Sequence, residues 1–428
     1  MNDLLIKNIT LISMDEKREK IEFNIDIGIK DGKISAIGKD LTSEGSRIID
    51  GTGKVIIPGF INTHTHIPMS IFRNSIDGLK LEDWLKKFIW PIEEKLTDEE
   101  IYLGVMLSSM EMIENGITTA HDMYSNYDQI IPAAKKVGLD LIVSSTLMSD
   151  FNNGEERIET ALRLMEEYKD IKFTIGIHGL YTSDEKYIKR VTDLAKEKNM
   201  IVHMHYCETE TEVSTIKEKY VVKHPGEVLE KYFKGLKCIL AHSVKLDEYD
   251  MDVISKMDVS ISHCPVSNMM LGCGIADISR MQEMGINITV GTDGQGSGNN
   301  VSILDNMRFT ALLQKGSREN PLLMPAYEVL KMATINGAKS LNLEDEIGSI
   351  EVGKRANLTI FDFKSMNNFP INNHIANIIY NANSNDIGIV IIDGEIVMED
   401  RIFKVDKEDI VNKCKKIANK YFIQTSSV

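Results

Sequence analysis

Apolar residues in the first part of the chain fall in short runs with β-type alternation, each closed by a turn signal. These are Leu4 to Ser13, Phe23 to Ile29, Lys33 to Gly38 after Asp31-Gly32, and Lys54 to Ile57 after Gly51-Thr52-Gly53. The pattern predicts a small β unit over 1–58. From Gly59 onward, helix-length amphipathic stretches alternate with short apolar runs at Thr118 to Asp122, Leu141 to Thr146, Phe173 to His178, Ile201 to His205, Ile239 to His242, Val259 to His263 and Ile286 to Asp293. A further strand expected at Ile56 to His66 brings the runs to eight, and eight alternations of strand and helix predict a closed parallel (β/α)8 barrel of the TIM type over 59–347. After Gly348 the short runs return at Ile350 to Val352, Asn357 to Phe363, Ile387 to Asp393 and Glu395 to Met398, with Asp393-Gly394 as a hairpin turn and Lys407 to Phe422 as a closing amphipathic helix. The region 348–428 is expected to pack on 1–58. The predicted fold is therefore α/β: a barrel inserted into a small β-sandwich built from both chain ends.

Composition narrows the class. The 428 residues are 43% hydrophobic and 26% charged, as in ordinary water-soluble enzymes, and no run approaches the roughly 20 apolar residues that cross a bilayer. Asp3 and Lys7 interrupt the start of the chain where a secretion signal needs a cationic segment and then an apolar block, so a cytoplasmic protein is expected. The five cysteines (Cys207, Cys238, Cys264, Cys273, Cys414) are scattered and form no Cys-x-x-Cys pair, which points to a reducing compartment and away from a thiolate zinc site. A formal charge of −15 with no compensating basic block argues against nucleic acid as a partner, though not against a free nucleoside.

The predicted strands carry the chemistry at their ends. Strand side chains repeat every two residues, so His64 and His66 project to the same side and can share a cation. His178, His205, His242, His263 and Asp293 end later runs, and His121 and His203 lie close by, so eight of the ten histidines fall at or near one mouth of the expected barrel. Any one of them alone reads more readily as a hydrogen-bonded core histidine; the repetition favours a site. Three histidines and an aspartate suit a divalent zinc, iron or manganese ion with room for water, and His64, His66, His205 and Asp293 are the assigned ligands. A second metal would need a bridging ligand, such as a modified lysine at the end of the fourth strand. That strand ends Ile177-His178-Gly179, so one ion is expected.

Proton carriers are needed beside the ion. Glu208, three residues beyond His205, is the candidate general acid, the competing reading being a solvated loop carboxylate like Glu210 and Glu212. His242 and Asp293 are placed to hold and deprotonate the water. Other chemistries lack their residues: there is no His-Glu-x-x-His helix, no Gly-x-Ser-x-Gly elbow and no Pro-Cys-x-x-Cys. The glycines Gly291, Gly294, Gly296 and Gly298 lack both the P-loop lysine and dinucleotide spacing, and read as a sharp backbone turn beside Asp293.

An ordered set of motifs resembles the amidohydrolase superfamily and, within it, the 5'-methylthioadenosine/S-adenosylhomocysteine deaminase family, across essentially the whole chain. The motifs are Pro58-Gly-Phe-Ile-Asn-Thr-His64-Thr-His66-Ile-Pro-Met69, Trp84-Leu with Trp90-Pro-Ile-Glu93, Glu114-Asn-Gly-Ile-Thr-Thr119, His205-Tyr-Cys-Glu208-Thr, Ala241-His242-Ser243, Ser262-His-Cys-Pro-Val-Ser-Asn268, Gly291-Thr-Asp293-Gly, Ala333-Thr-Ile-Asn-Gly-Ala338 and Gly348-Ser-Ile-Glu-Val-Gly-Lys-Arg-Ala-Asn-Leu358. The resemblance implies zinc or iron on His64, His66, His205 and Asp293, proton transfer to the purine ring nitrogen by Glu208, orientation of the attacking hydroxide by His242, and loss of ammonia. It also implies a small-molecule nucleoside substrate, with Glu93 on the ribose hydroxyls, His178 on the nucleoside, Arg157 on an amino-acid carboxylate and Trp84 lining the pocket. Competing readings make Glu93 solvated surface, Arg157 an i,i+4 surface partner and Trp84 ordinary core. The segment Asp150-Phe-Asn-Asn-Gly154, together with Cys207 and Cys264, departs from the usual family pattern. A homo-oligomer is expected from the same resemblance. The alternatives are another amidohydrolase reaction, on a guanine-type base, a triazine, a chlorinated ring or a cyclic amide, and a non-catalytic scaffold, which the complete ligand set disfavours.

Overall fold

The computed structural model describes residues 3–42, 46–75, 78–150 and 153–422. Phe151 and Asn152 of the departing segment, Met1 and Asn2, and residues 423–428 of the expected last region lie outside the described residues.

Alternating aliphatic side chains give the terminal strands one apolar face. The N-terminal strands are β1 (Leu4–Leu11), β2 (Glu22–Lys30), β3 (Lys33–Gly38), β4 (Arg47–Asp50) and β5 (Val55–Pro58). Eight strands then form the barrel: β6 (Phe60–Thr65), β7 (Ile117–Tyr124), β8 (Asp140–Ser145), β9 (Lys172–Gly179), β10 (Val202–Tyr206), β11 (Cys238–His242), β12 (Val259–His263) and β13 (Asn287–Val290). The chain ends add β14 (Leu358–Phe361), β15 (Ile387–Ile392), β16 (Glu395–Glu399) and β17 (Ile402–Phe403), followed by the helix Lys407–Phe422. In the terminal sheet the order is β17-β16-β15-β14-β5-β1-β2-β3, with β4 pairing β1. One face of that sheet packs on itself, bringing Ile6, Ile27, Ile56, Ile360 and Ile391 into a single apolar cluster.

The expected strand from Ile56 to His66 is in fact two strands in different sheets. Val55–Pro58 pairs with β14 and β1, whereas Phe60–Thr65 pairs with β7. Gly59 is the joint, and only a residue without a side chain fits there, because a Cβ would stand 2.2 Å from Thr118. The expected strand at Ile350 to Val352 is also absent. Ile350 is buried and its N–H bonds to Ser13 O at 2.7 Å, but Val352 is exposed and Gly353 turns the chain at φ 96° before a ladder can form.

All seven neighbouring strand pairs of the barrel are parallel. In β10 the alternation sorts the side chains: Val202, Met204 and Tyr206 join the apolar cluster shared with helix residues such as Ile188 and Val191, while His203 and His205 face other histidines. At the seam between β6 and β13, the N–H groups of Thr292 and Asp293 both donate to His64 O, at 3.1 and 3.0 Å. Asn62 reinforces it, its Nδ2 donating to Thr292 Oγ1 at 2.7 Å while its Oδ1 accepts from Thr292 N at 3.0 Å. Among the described residues no helix is long and apolar enough to cross a membrane.

Candidate active site

Four strand ends converge on one point of the barrel mouth. His66 donates from Nδ1 to Met123 O at 2.6 Å, and His205 from Nδ1 to His178 O at 2.6 Å. His242 Nδ1 meets Asn268 Oδ1 at 2.8 Å, and His64 Nδ1 meets Nε2 of His203 at 2.9 Å. Each Nδ1 is therefore engaged, which leaves Nε2 as the free nitrogen of each ring. Nε2 of His66 and His205 lie 3.2 Å apart, and Oδ1 of Asp293 stands 3.2 Å from His66 Nε2 and 3.6 Å from His64 Nε2. Nε2 of His64 is buried with no hydrogen-bond partner among the described residues. Ligand atoms of His64, His66 and Asp293, and likewise of His64, His205 and His242, fall within 4.8 Å of one another. Two imidazole lone pairs at 3.2 Å repel unless a cation or a proton lies between them, so this donor set fits a divalent metal.

The electrostatics of His64, His205 and Asp293 agree with this, while His66 must give up a proton when a cation binds. Burial pushes His64 down to about 3 and His205 well below its ordinary value, which keeps both rings neutral as ligands must be. Burial opposes ionisation of Asp293, but the neighbouring rings of His64 and His66 outweigh it and hold the carboxyl well below the carboxylate range. His66 is held up to about 9: burial opposes its charge, but the Asp293 carboxylate prevails. Asp293 is anchored on its far side, with Oδ2 accepting from Ser267 Oγ at 2.6 Å and Ser297 Oγ at 2.9 Å, and Oδ1 accepting from Gly294 N at 2.8 Å. The sharp turn expected of the glycine cluster belongs to Asp293 itself, at φ 59°. Gly294 serves close approach instead, since a Cβ there would stand 2.7 Å from Met69 Sδ.

Glu208 follows β10 on a loop that a second carboxylate holds in place. Glu212 accepts from Cys207 N at 2.9 Å through Oε1 and from Glu208 N at 2.7 Å through Oε2. Both glutamates are buried, so neither is a solvated loop residue. Burial raises the Glu208 carboxyl above its ordinary range, and raises Glu212 to about 7. Glu208 Oε1 lies 3.5 Å from His242 Nδ1.

A cavity of about 640 Å³ opens from this cluster. His66, His205, His242, Glu208 and Asp293 line it together with Glu93, His178, Arg157 and Trp84. Glu93 accepts from the Tyr124 hydroxyl, and burial raises its carboxyl. Burial pushes His178 down to about 3, and its Nδ1 contacts Thr182 Oγ1 at 3.1 Å. Arg157 is no simple surface partner: Nε donates to Asn153 Oδ1 at 2.9 Å, and Nη1 to Ser125 Oγ at 3.1 Å and Thr146 O at 3.0 Å. Trp84 is buried at the cavity wall. It sits on a helical segment in which Pro91, lacking an N–H, follows a π-turn at Leu85–Ile89. His121, His203 and His263, counted with the mouth on sequence position, do not line this cavity. His203 and His121 stack 4.0 Å apart behind His64, and the buried ring nitrogens of His263 have no hydrogen-bond partner among the described residues. Sequence reasoning missed Tyr124, Asn268, Glu212 and Cys273 as parts of the site. Asn268 had a signal in its place just after a strand-ending histidine; the others have none in their local sequence.

Comparison with known proteins gives a consistent answer. Residues 55–397 match the amidohydrolase family model. The chain is 39% identical to a 5-methylthioadenosine/S-adenosylhomocysteine deaminase of Thermoanaerobacter pseudethanolicus, over 97% of this chain and 98% of the relative. It is 35% identical to a 5'-deoxyadenosine deaminase of Methanosarcina acetivorans, over 98% of each. A zinc-bound adenosine deaminase from Xanthomonas campestris superposes with a TM-score of 0.92 at 27% identity, covering 98% of both chains. A zinc-complexed atrazine chlorohydrolase from Arthrobacter aurescens, 23% identical over 97% of this chain and 100% of its own, superposes at 0.90 and shares the fold. With strand order, ligand cluster and full-length similarity in agreement, the chain belongs to the amidohydrolase family.

Proposed function

We propose that this protein is a metal-dependent hydrolytic deaminase of adenosine-type nucleosides, replacing the purine amino group by oxygen and releasing ammonia. The observation that carries the reading is the joining, in one cavity, of a metal-type cluster and a buried carboxyl (Glu208) with a second polar group, Glu93 and Tyr124, suited to sugar hydroxyls. His64, His66, His205 and Asp293 would hold one divalent ion, zinc in the first instance, with iron and manganese chemically acceptable. When bound, the ion supplies a water acidic enough to ionise near neutral pH.

The chain's own residues do the rest. His242 is fixed by Asn268 at Nδ1, so Nε2 is its basic nitrogen and takes the water proton. Glu208, which burial keeps protonated above the usual carboxylate range, delivers a proton to the ring nitrogen. His178, neutral, faces the nucleoside, and Trp84 with Met69 and Met148 gives the cavity its apolar wall. Arg157 is assigned to the 5' end of the substrate. Among the described residues it already spends Nε and Nη1 on protein acceptors, so only Nη2 has none, which favours uncharged 5' groups over an amino-acid tail.

Metal-loaded protein is to be incubated with methylthioadenosine, 5'-deoxyadenosine, adenosine and S-adenosylhomocysteine, following ammonia and the adenine-to-hypoxanthine absorbance change. Turnover of the first two with a higher kcat/KM than the last is expected. Ammonia from guanine or a triazine but from no adenine nucleoside would transfer the assignment to another amidohydrolase reaction.

A further inference from the structure

The two carboxyl oxygens of Glu208 have unlike surroundings. Oε1 accepts from the Cys273 thiol at 3.5 Å and lies 3.5 Å from His242 Nδ1. Oε2 has no hydrogen-bond partner among the described residues, and Glu208 lines the cavity. Cys273 is only 3% exposed, so water does not compete for its S–H, and thiol sulfur is a poor acceptor. Its backbone is shaped for the contact: Gly272 and Gly274 flank it at φ 68° and 112°, conformations that side-chain-bearing residues avoid. Cys273 N bonds to Asn268 O at 2.8 Å, and Asn268 is also the residue that holds His242. One short loop and helix thus fix partners of both proton carriers.

We infer that Cys273 is a positioning residue for the proposed deamination: its thiol reserves Oε1 of Glu208 as an acceptor, so that the proton to be transferred is borne on Oε2, the oxygen left free for substrate. This rests on the reading of Glu208 as the proton carrier. Without the thiol, the carboxyl rotates and its proton is shared between both oxygens. A buried neutral hydrogen bond of this kind corresponds to a loss of about fivefold to tenfold in rate.

The test compares wild type, Cys273→Ser, Cys273→Val and Glu208→Gln on methylthioadenosine, with thermal melting of each. The valine variant replaces the thiol by a slightly larger apolar branch and removes the donor; it is expected to lower kcat about fivefold to tenfold with KM unchanged. Serine keeps the donor and is expected to restore most of kcat. Should the valine variant fail to fold, Cys273→Ala replaces it. A valine or alanine variant with wild-type kcat, a change confined to KM, or a serine variant as slow as the valine one would overturn the inference while Glu208→Gln remains inactive. A wild type that deaminates nothing would instead remove the functional reading, and this inference with it.

Discussion

Removing the Glu212 side chain should loosen the loop that carries Glu208 without unfolding the barrel. Glu212 is 4% exposed, and its two oxygens accept the Cys207 and Glu208 N–H groups at 2.9 and 2.7 Å. Glu212→Ala leaves both backbone donors buried and unpaired. Leaving a buried donor unsatisfied costs about 1–3 kcal/mol, and with two such donors and allowance for loop relaxation the local opening free energy should fall by about 2–4 kcal/mol. That corresponds to about 30- to 1,000-fold faster amide exchange in the segment around Cys207 and Glu208. Peptide-level hydrogen–deuterium exchange measures it directly, with segments of the terminal sheet as internal controls. The pH dependence has a definite sign. Burial raises Glu212 from 4.5 to about 7, so its neutral form is the one the fold favours. Its contribution is fully present below 4.5 and is lost as pH rises toward about 7. After correction for intrinsic exchange, wild-type opening should become easier across that window, and Glu212→Gln should lack the trend. Unchanged exchange at Cys207 and Glu208 in Glu212→Ala, together with unchanged kcat, would refute the reasoning.

Three further outcomes are expected. Glu208→Gln should lower kcat by about 100- to 10,000-fold while metal content and melting temperature stay at wild-type values, because a positioned proton carrier contributes that much. His64→Asn should weaken metal retention by more than about a hundredfold, since losing even an outer partner of a ligand costs up to that factor; metal analysis after dialysis against a chelator reads it. Glu93→Gln should raise KM for adenine nucleosides about tenfold, the scale of one charge-assisted hydrogen bond, and leave any turnover of the free base adenine untouched. An unchanged nucleoside KM would remove the ribose role.

Strand periodicity made the barrel readable, because buried strands carry unbroken apolar runs and the site residues interrupt them only at the ends. It failed where pairing depends on distant partners. Arg47–Asp50 holds only two apolar residues and becomes a strand through its parallel pairing with Leu4–Lys7, which no local pattern announces. Ile350 has the right hydrophobicity for a strand and one backbone bond, to Ser13 O, but Gly353 turns the chain before a ladder can follow. The same division runs through the site. His64, His66, His205, His242 and Asp293 were legible because their positions at strand ends fix where they go. His263 shares that position yet stands apart from the cavity, since the strand end alone does not determine the side to which a ring turns. Cys273 and Glu212 were illegible because a thiol on a glycine-flanked loop and a glutamate in the first turn of the helix Glu210–Tyr220 acquire roles only through the three-dimensional path of the chain around them.

The seam between the first and last barrel strands has a mechanical consequence. Asn62, Thr292 and the His64 carbonyl fasten the two ends of the ring together, and the same few residues carry His64, His66 and Asp293. On the proposed assignment, catalytic competence and ring integrity are thus read from one latch. A fluctuation that springs it scatters the donor set while the other seven strand junctions still stand, so activity should vanish at temperatures where the fold, by any global probe, still looks intact.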